Sequence, residues 1–149
     1  MEWIERFYGT FVGLDTAPLI YFAERHPYYL PLVRPFFLAV ERGDIEAVTS
    51  TVTLTEVLVH PFRQGNHVLA ERYSRILLNS KNLKTIPVTT EIAAEAAQIR
   101  ASHRLKTPDA LQIATARLAD ATAFLTNDDR FASIPGIEII LLDKLLSAL

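Results

Sequence analysis

The sequence predicts an α/β fold in which helices cover both faces of a mostly parallel sheet. Short apolar runs alternate with longer helical stretches along the chain, and such alternation builds parallel sheets. Half of the 149 residues are hydrophobic and 21% are charged, as in a globular domain. The sequence shows no internal repeat, low-complexity tract or linker. We therefore expect one domain over residues 1–149, with residues 1–10 as a short lead-in.

Five short apolar runs predict the strands of this sheet. They cover residues 11–14, 45–50, 83–88, 122–125 and 137–142.

The stretches between these runs predict helices over residues 17–24, 28–42, 53–60, 66–80, 91–104 and 107–120, with a short helix at the C-terminus. We expect the helix at 28–42 to be broken or tilted near Pro31 and Pro35 and to stop at Gly43. We expect Pro61 to end the helix at 53–60.

Composition excludes several classes of protein. The chain has no cysteine, which rules out disulfides, thiolate catalysis and cysteine-bound metals. The sequence contains no run of about 18 apolar residues, the length that a membrane span needs. The start of the chain has Glu2, Glu5 and Arg6 ahead of a very short apolar run, whereas a signal peptide has a basic start and a longer apolar run. We expect a cytoplasmic protein without membrane contact. The net charge of −2 permits a nucleic-acid partner and does not argue for one.

Four acidic residues stand where an α/β fold places its chemistry. Asp15 follows the first predicted strand, Glu56 lies a few residues past the second, and Asp128 follows the fourth. Asp109 opens the helix at 107–120. Functional crevices of parallel sheets lie beyond the carboxyl ends of the strands. We therefore expect these side chains to face one crevice.

Each acidic residue also has a purely structural interpretation. Asp15 suits a helix N-cap, and Thr53 with Glu56 has the spacing of a capping box. Asp109 favours the positive end of a helix dipole, and Asp128 suits a turn. The sequence alone leaves both interpretations open.

A cluster of carboxylates at the edge of a core is costly unless a cation compensates their charge. Ligands that are all oxygen favour a hard cation, so Mg²⁺ or Mn²⁺ fits this set better than Zn²⁺. Such an ion suits the hydrolysis of a phosphate ester. A metal-dependent phosphodiesterase is therefore one hypothesis that the residues support.

The segments that carry these acids resemble the signature segments of the PIN-domain family, in the same order. They are LDTAPLIY at 14–21, STVTLTEVL at 50–58, PDALQIATA at 108–116 and FLTNDDRF at 124–131. The resemblance spans nearly the whole chain. It implies a three-layer α/β/α sandwich with a five-stranded parallel sheet and Mg²⁺- or Mn²⁺-dependent cleavage of RNA.

The resemblance also implies roles for individual residues. Asp15, Glu56 and Asp109 would be the core metal ligands. Asp128 would be the fourth acidic residue, often acting through a water, with Asp129 as its possible substitute. Thr126 would orient a ligand or the attacking water.

Small PIN-domain proteins of this size are often toxins of type II toxin–antitoxin pairs, of the VapC kind. The resemblance therefore implies a homodimer that is silenced by a small antitoxin protein. The alternative is a catalytically inactive PIN-like module that binds RNA or protein. All four acidic positions are filled, which counts against this alternative.

Two further groups of residues have open interpretations. Arg100, Arg104 and Lys106 form a basic run that can meet an RNA backbone, or can be a solvated helix end. A set of aromatic residues can stack bases, or can belong to the core or to a dimer interface: Tyr21, Phe22, Tyr28, Tyr29, Phe36 and Phe37.

Other α/β phosphate enzymes fit the sequence less well. A haloacid-dehalogenase-like phosphatase needs a second Asp two residues after the first, and this position is Ala17. A receiver domain needs an acidic pair near the first strand, which is missing. The chain has no G-x-x-x-x-G-K stretch, so it is not a P-loop NTPase.

Overall fold

The computed structural model describes residues 2–148, without the side chain of Glu2. Five strands form one parallel sheet in the order β3-β2-β1-β4-β5. They are β1 (Phe11–Leu14), β2 (Glu46–Ser50), β3 (Leu83–Ile86), β4 (Ala123–Thr126) and β5 (Glu138–Leu141). Because β1 is central and the order reverses beside it, a crevice opens at the carboxyl ends of β1 and β4. The predicted fold class is confirmed.

Helices connect the strands and form the two outer layers. They are α1 (Glu2–Glu5), α2 (Thr16–Ala23), α3 (Leu30–Arg42), α4 (Thr51–Gln64), α5 (His67–Asn79), α6 (Thr90–Ser102), α7 (Thr107–Leu118) and α8 (Leu142–Ser147). A single 3₁₀ turn, Asp129–Phe131, follows β4. None of the helices within residues 2–148 has the length and apolar character needed to cross a bilayer.

Side chains that alternate along the central strands divide the core into two parts. Val12 and Leu14 point to the core formed with α2, α3 and α5, as Leu125 does from β4. Phe124 points to the other core, which α6 and α7 cover. This arrangement of helix, sheet and helix gives three layers and holds the carboxyl ends of the strands in register.

Gly13 allows α7 to lie directly on β1. A Cβ atom at this position would come within 2.5 Å of the Cβ of Ala116 and 2.8 Å of Cδ1 of Phe124. Contacts this short exclude any side chain at residue 13 unless the helix moves. The close approach matters for the site because α7 carries Asp109.

Two predictions about prolines are wrong. Helix α3 continues past Pro35 without a break, although it stops at Gly43 as predicted. Pro61 does not end α4, which continues to Gln64 and stops at Gly65 in the left-handed conformation with φ of 65°. Pro61 is buried, and its packing offsets the backbone hydrogen bond that a proline inside a helix cannot make. The lead-in contains helix α1, whose Trp3 stacks on Phe36 at 6.4 Å, so this segment is part of the core packing.

Candidate active site

The predicted acidic residues lie at one edge of the sheet. Asp15 directly follows β1, and Asp128 lies two residues after the end of β4. Glu56 is on α4, which follows β2 without a break, and Asp109 is in the first turn of α7. Their charges interact, because Glu56 and Asp109 both raise the pKa of Asp15 by repulsion.

Asp15 is the most deeply placed of these carboxylates, with 7% of its surface exposed. Its Oδ1 accepts a hydrogen bond from the backbone N–H of Thr16 at 2.8 Å, so it does cap α2. Its Oδ2 accepts one from the hydroxyl of Thr126 at 2.7 Å. Burial raises the pKa of Asp15 to about 6, the two hydrogen bonds oppose the rise, and repulsion from Asp109 and Glu56 adds to it.

Thr126 joins two of the acidic positions. Its buried hydroxyl donates to Asp15 and accepts a hydrogen bond from the backbone N–H of Asp128 at 3.0 Å. The end of β4 therefore fixes both the orientation of the Asp15 carboxylate and the start of the loop that carries Asp128.

Glu56 is exposed at the rim of the site, which differs from the expected place at the edge of the core. Its Oε1 accepts hydrogen bonds from the hydroxyl of Thr16 at 2.7 Å and from Nε2 of Gln112 at 3.3 Å. The capping-box interpretation is wrong, because Ser50 is the N-cap of α4 and Thr53 lies inside the helix. Glu56 is therefore held by side chains that face the crevice.

Asp109 and Asp128 share the cation Arg130. The guanidinium forms hydrogen bonds of 3.0 Å from Nε to both oxygens of Asp128, and Nη2 lies 3.6 Å from Oδ2 of Asp109. These bonds lower the pKa of Asp128. Burial raises the pKa of Asp109, against the attraction of Arg130. Asp129 is exposed and begins the 3₁₀ turn, so Asp128 is the residue that faces Asp109.

The structure adds Gln112, Thr16 and Arg130 to the residues found from the sequence. Gln112 is 2% exposed, and its Nε2 lies 2.7 Å from the hydroxyl oxygen of Thr16 and 2.8 Å from that of Thr53. A signal for it exists in the sequence, since Gln112 is three residues after Asp109 and such residues share a helix face. Arg130 had no comparable signal, because its contacts depend on the 3₁₀ turn.

The donor set fits a hard cation, although the carboxylates are not closely packed. Within residues 2–148 no three acidic or histidine side chains lie close enough to enclose an ion. The four predicted ligands form an electrostatic cluster instead, in which Glu56, Asp109 and Asp128 act on the pKa of a neighbouring acid. A buried carboxylate with acidic neighbours favours a compensating cation, and the ligand atoms are all oxygen.

The basic run divides into two roles. Arg100 donates to the backbone oxygen of Leu105 at 3.0 Å and to the hydroxyl of Thr107 at 2.9 Å, so it supports the turn before α7. Arg104 and Lys106 are exposed. Lys106 immediately precedes α7, and its charge lowers the pKa of Asp109. The run therefore lies beside the acidic site.

The aromatic residues also divide into two groups. Phe36 and Phe37 are buried and Phe22 stacks on Phe37 at 4.2 Å, as a core role requires. Tyr21 and Tyr29 belong to a separate group near the loop after β4, and their stacked rings have centroids 4.2 Å apart.

The fold and the site together define a class of protein. It is an α/β/α sandwich with a five-stranded parallel sheet and with carboxylates at the carboxyl edge of that sheet. The profile of the PIN domain family matches residues 12–137. The chain therefore belongs to the PIN domain family. No curated protein matches the chain in sequence.

Solved structures of toxin–antitoxin proteins resemble the chain. VapC20 of Mycobacterium tuberculosis, described as a sarcin–ricin loop cleaving toxin, has a TM-score of 0.70 and 17% identity, over 87% of this chain and 98% of that one. A toxin–antitoxin complex from Klebsiella pneumoniae has a TM-score of 0.62 and 25% identity, over 90% and 98%. VapBC2 from Rickettsia felis, bound to a promoter DNA fragment, has a TM-score of 0.66 and 16% identity, over 88% and 98%.

Proposed function

We propose that the protein is a Mg²⁺- or Mn²⁺-dependent endoribonuclease that hydrolyses RNA phosphodiester bonds. The observation that carries this proposal is Asp15, a buried carboxylate whose pKa is raised to about 6 beside the acidic Asp109 and Glu56. An anionic crevice of this kind favours a divalent cation, and membership of the PIN domain family supports a nuclease.

In this proposal Asp15, Glu56 and Asp109 would hold the metal, and Asp128 would complete the set through a water. When bound, such an ion supplies an activated water and stabilises negative charge on the phosphate oxygens. Thr126 favours the ionised form of Asp15 and orients its carboxylate through a 2.7 Å hydrogen bond. Gln112 orients Glu56 directly and through Thr16, whose hydroxyl contacts both side chains.

The RNA backbone approaches from the side of the basic run in this proposal. Arg104 and Lys106 are exposed beside α7, where cations attract phosphates. Arg100 contributes by supporting the turn that presents them, because two of its guanidinium nitrogens bind atoms of that turn.

The cleavage experiment compares the wild type with Asp109→Asn on a mixed RNA pool, with Mg²⁺ and with EDTA. We expect Mg²⁺-dependent cleavage by the wild type and none by the variant, because one ligand charge is lost. Circular dichroism checks that the variant is folded. Full activity of Asp109→Asn would contradict the proposed metal site. RNA binding without cleavage by the wild type would identify an inactive binding module.

We further propose that the protein is the toxin of a type II toxin–antitoxin pair, acting in the cytoplasm as a homodimer. The likeness to the toxin–antitoxin complex from Klebsiella pneumoniae, at 25% identity over 90% of the chain, supports this. Induced expression of the wild type in bacteria should arrest growth, and expression of Asp109→Asn should not. Equal growth with both would contradict the toxin role and would leave the cleavage result unaffected.

The two expected partners have tests of their own. Co-expression of a small antitoxin encoded next to the gene should relieve the growth arrest. Size-exclusion chromatography with light scattering tests whether the protein is a dimer.

A further inference from the structure

Four residues of α2 and of the turn between α2 and α3 form an aromatic group that the proposed chemistry does not use. We call Tyr21, His26, Tyr28 and Tyr29 the tyrosine cluster. Tyr21 and Tyr29 stack with ring centroids 4.2 Å apart, and His26 packs against both at 5.1 and 5.0 Å. Tyr28 lies at a right angle to Tyr29 at 5.1 Å and has 63% of its surface exposed.

Hydrogen bonds to His26 hold the turn that carries this cluster. Nδ1 of His26 accepts hydrogen bonds from the backbone N–H groups of Tyr28 and Tyr29 at 3.1 and 3.3 Å. These backbone hydrogen bonds and the edge contact with Tyr29 therefore position the exposed ring of Tyr28. A fixed, exposed ring loses little conformational entropy when a flat ligand stacks on it.

Hydrogen bonds connect the cluster to the acidic site. The hydroxyl of Tyr21 accepts a bond of 3.2 Å from Nδ2 of Asn127, which directly precedes Asp128. The hydroxyl of Tyr29 donates a bond of 2.6 Å to Oδ1 of Asp143, whose backbone N–H donates to Oδ1 of Asn127 at 3.1 Å. The cluster is thus built into the loop that carries the fourth acidic residue.

A cavity of about 520 Å³ lies at this junction. Its lining consists of Asn127, Asp128, Asp129, Leu141, Asp143 and Lys144. Such a volume is within the usual range of small-molecule sites, about 300–1,000 Å³. Asp128 in this lining is paired with Arg130, which leaves the carboxylates of Asp129 and Asp143 beside the single cation Lys144. Carboxylates repel a phosphate group, whereas they accept hydrogen bonds from the exocyclic amino groups of bases.

We infer that the tyrosine cluster and this cavity form a subsite for the base of a nucleotide that flanks the cleaved phosphate in single-stranded RNA. A base stacks on the ring of Tyr28, and the cavity binds the hydrogen-bonding edge of a base. Stacking on aromatic rings tolerates any base, so this subsite gives affinity for unpaired RNA. The inference depends on the proposed ribonuclease function for its substrate.

The test measures binding by fluorescence anisotropy in EDTA, where no cleavage occurs. The probes are a ten-nucleotide oligoadenylate and an abasic oligomer with the same number of phosphates. We expect the wild type to prefer the oligoadenylate and Tyr28→Ala to lose about 5- to 100-fold of that affinity, with the abasic oligomer unaffected. Tyr28→Phe should retain the wild-type affinity, because it keeps the ring.

Phe62→Ala is the matched control, because Phe62 is also 63% exposed but lies near the end of α4. An equal loss with this control, an unchanged affinity of Tyr28→Ala, or no preference of the wild type for the oligoadenylate would overturn the base subsite. A change of oligomeric state in Tyr28→Ala with unchanged RNA binding would assign the cluster to a protein contact instead. Cleavage of the RNA pool by the wild type alongside any of these results would leave the ribonuclease proposal intact.

Discussion

The hydroxyl of Thr126 donates a 2.7 Å hydrogen bond to Oδ2 of Asp15, and both side chains are buried at the carboxyl ends of adjacent strands. The same hydroxyl accepts the backbone N–H of Asp128. A single side chain thus links the central strand to the loop after β4. Because the bond favours the ionised carboxylate, it opposes the rise in the pKa of Asp15 that burial causes.

Replacing Thr126 by Val should weaken the metal site. The substitution removes the hydrogen bond and keeps the shape of the side chain, so the pKa of Asp15 rises further. A hydrogen bond to a charged group contributes about 1.5–3 kcal/mol. We therefore expect Mg²⁺ affinity and RNA cleavage near neutral pH to fall by about 10- to 100-fold. Isothermal titration with Mg²⁺ and initial cleavage rates measure the two effects.

Thr126→Ser is the control, since it restores the hydroxyl and should recover most of the Mg²⁺ affinity. The pH profile separates a role at Asp15 from simple damage to the core. In Thr126→Val the rise of activity with pH should move to higher pH, whereas a loss that is equal at every pH would contradict this role.

The raised pKa of Asp15 predicts that the metal-free protein is more stable in mild acid. A carboxyl whose pKa is higher in the folded state stabilises the fold when protonated, and this contribution is lost as pH rises through the folded pKa of about 6. Between pH 5 and 7.5 the free energy of unfolding should fall by about 1–2 kcal/mol from this group alone. Urea unfolding in EDTA at the two pH values measures the change.

Asp15→Asn supplies the comparison, because the amide does not titrate. The variant should be more stable than the wild type at pH 7.5 and should show a smaller loss between the two pH values. Adding Mg²⁺ at pH 7.5 should raise the stability of the wild type more than that of the variant. Identical pH dependence of the two proteins would show that Asp15 is ionised at pH 5.

The sequence predicts the sheet and the positions of Asp15 and Asp128 well, for a physical reason. A buried parallel strand appears in the sequence as an apolar run, and the residue that follows the strand must lie at the carboxyl edge of the sheet. The fold class was predicted from these signals and the family from the resemblance of four segments to the PIN-domain signatures, and both predictions are confirmed. The exposure of Glu56 was missed, because it depends on the rotation of α4, which starts directly after β2.

Contacts between elements that are distant along the chain were beyond the sequence. Thr16 and Gln112 are 96 residues apart and meet only because α7 packs closely on β1 across Gly13. Arg130 reaches Asp109 because a 3₁₀ turn, too short for a periodic signal, turns its side chain back to the site. Such contacts depend on packing distances that composition and periodicity do not encode.

Arg130→Gln should increase the affinity for Mg²⁺. The guanidinium neutralises Asp128 and lies 3.6 Å from Asp109, so it competes with a metal for the same carboxylates. Arg130 is about half exposed, and exposed ion pairs contribute little because solvent screens them, so the gain should reach about fivefold at most. Isothermal titration with Mg²⁺ without RNA measures it.

Arg117→Gln is the matched control for this charge, because Arg117 pairs with Glu95 at 3.6 Å at the other end of α7. The control should leave Mg²⁺ affinity unchanged. A lower affinity in Arg130→Gln would show that the guanidinium orients the carboxylates for the metal and does not compete with it.

Neutralising Arg104 and Lys106 together should reduce the salt dependence of RNA binding. Both are exposed beside the start of α7. Each phosphate contact on single-stranded nucleic acid contributes about −0.7 to the slope of log affinity against log salt concentration, so the slope should become shallower by about 1.4. Lys81→Gln with Lys84→Gln removes the same charge around β3 and should leave the slope unchanged. A local RNA contact would change the slope in only one of the two double variants. An equal change of slope in both would mean that RNA binding depends on the net charge of the protein.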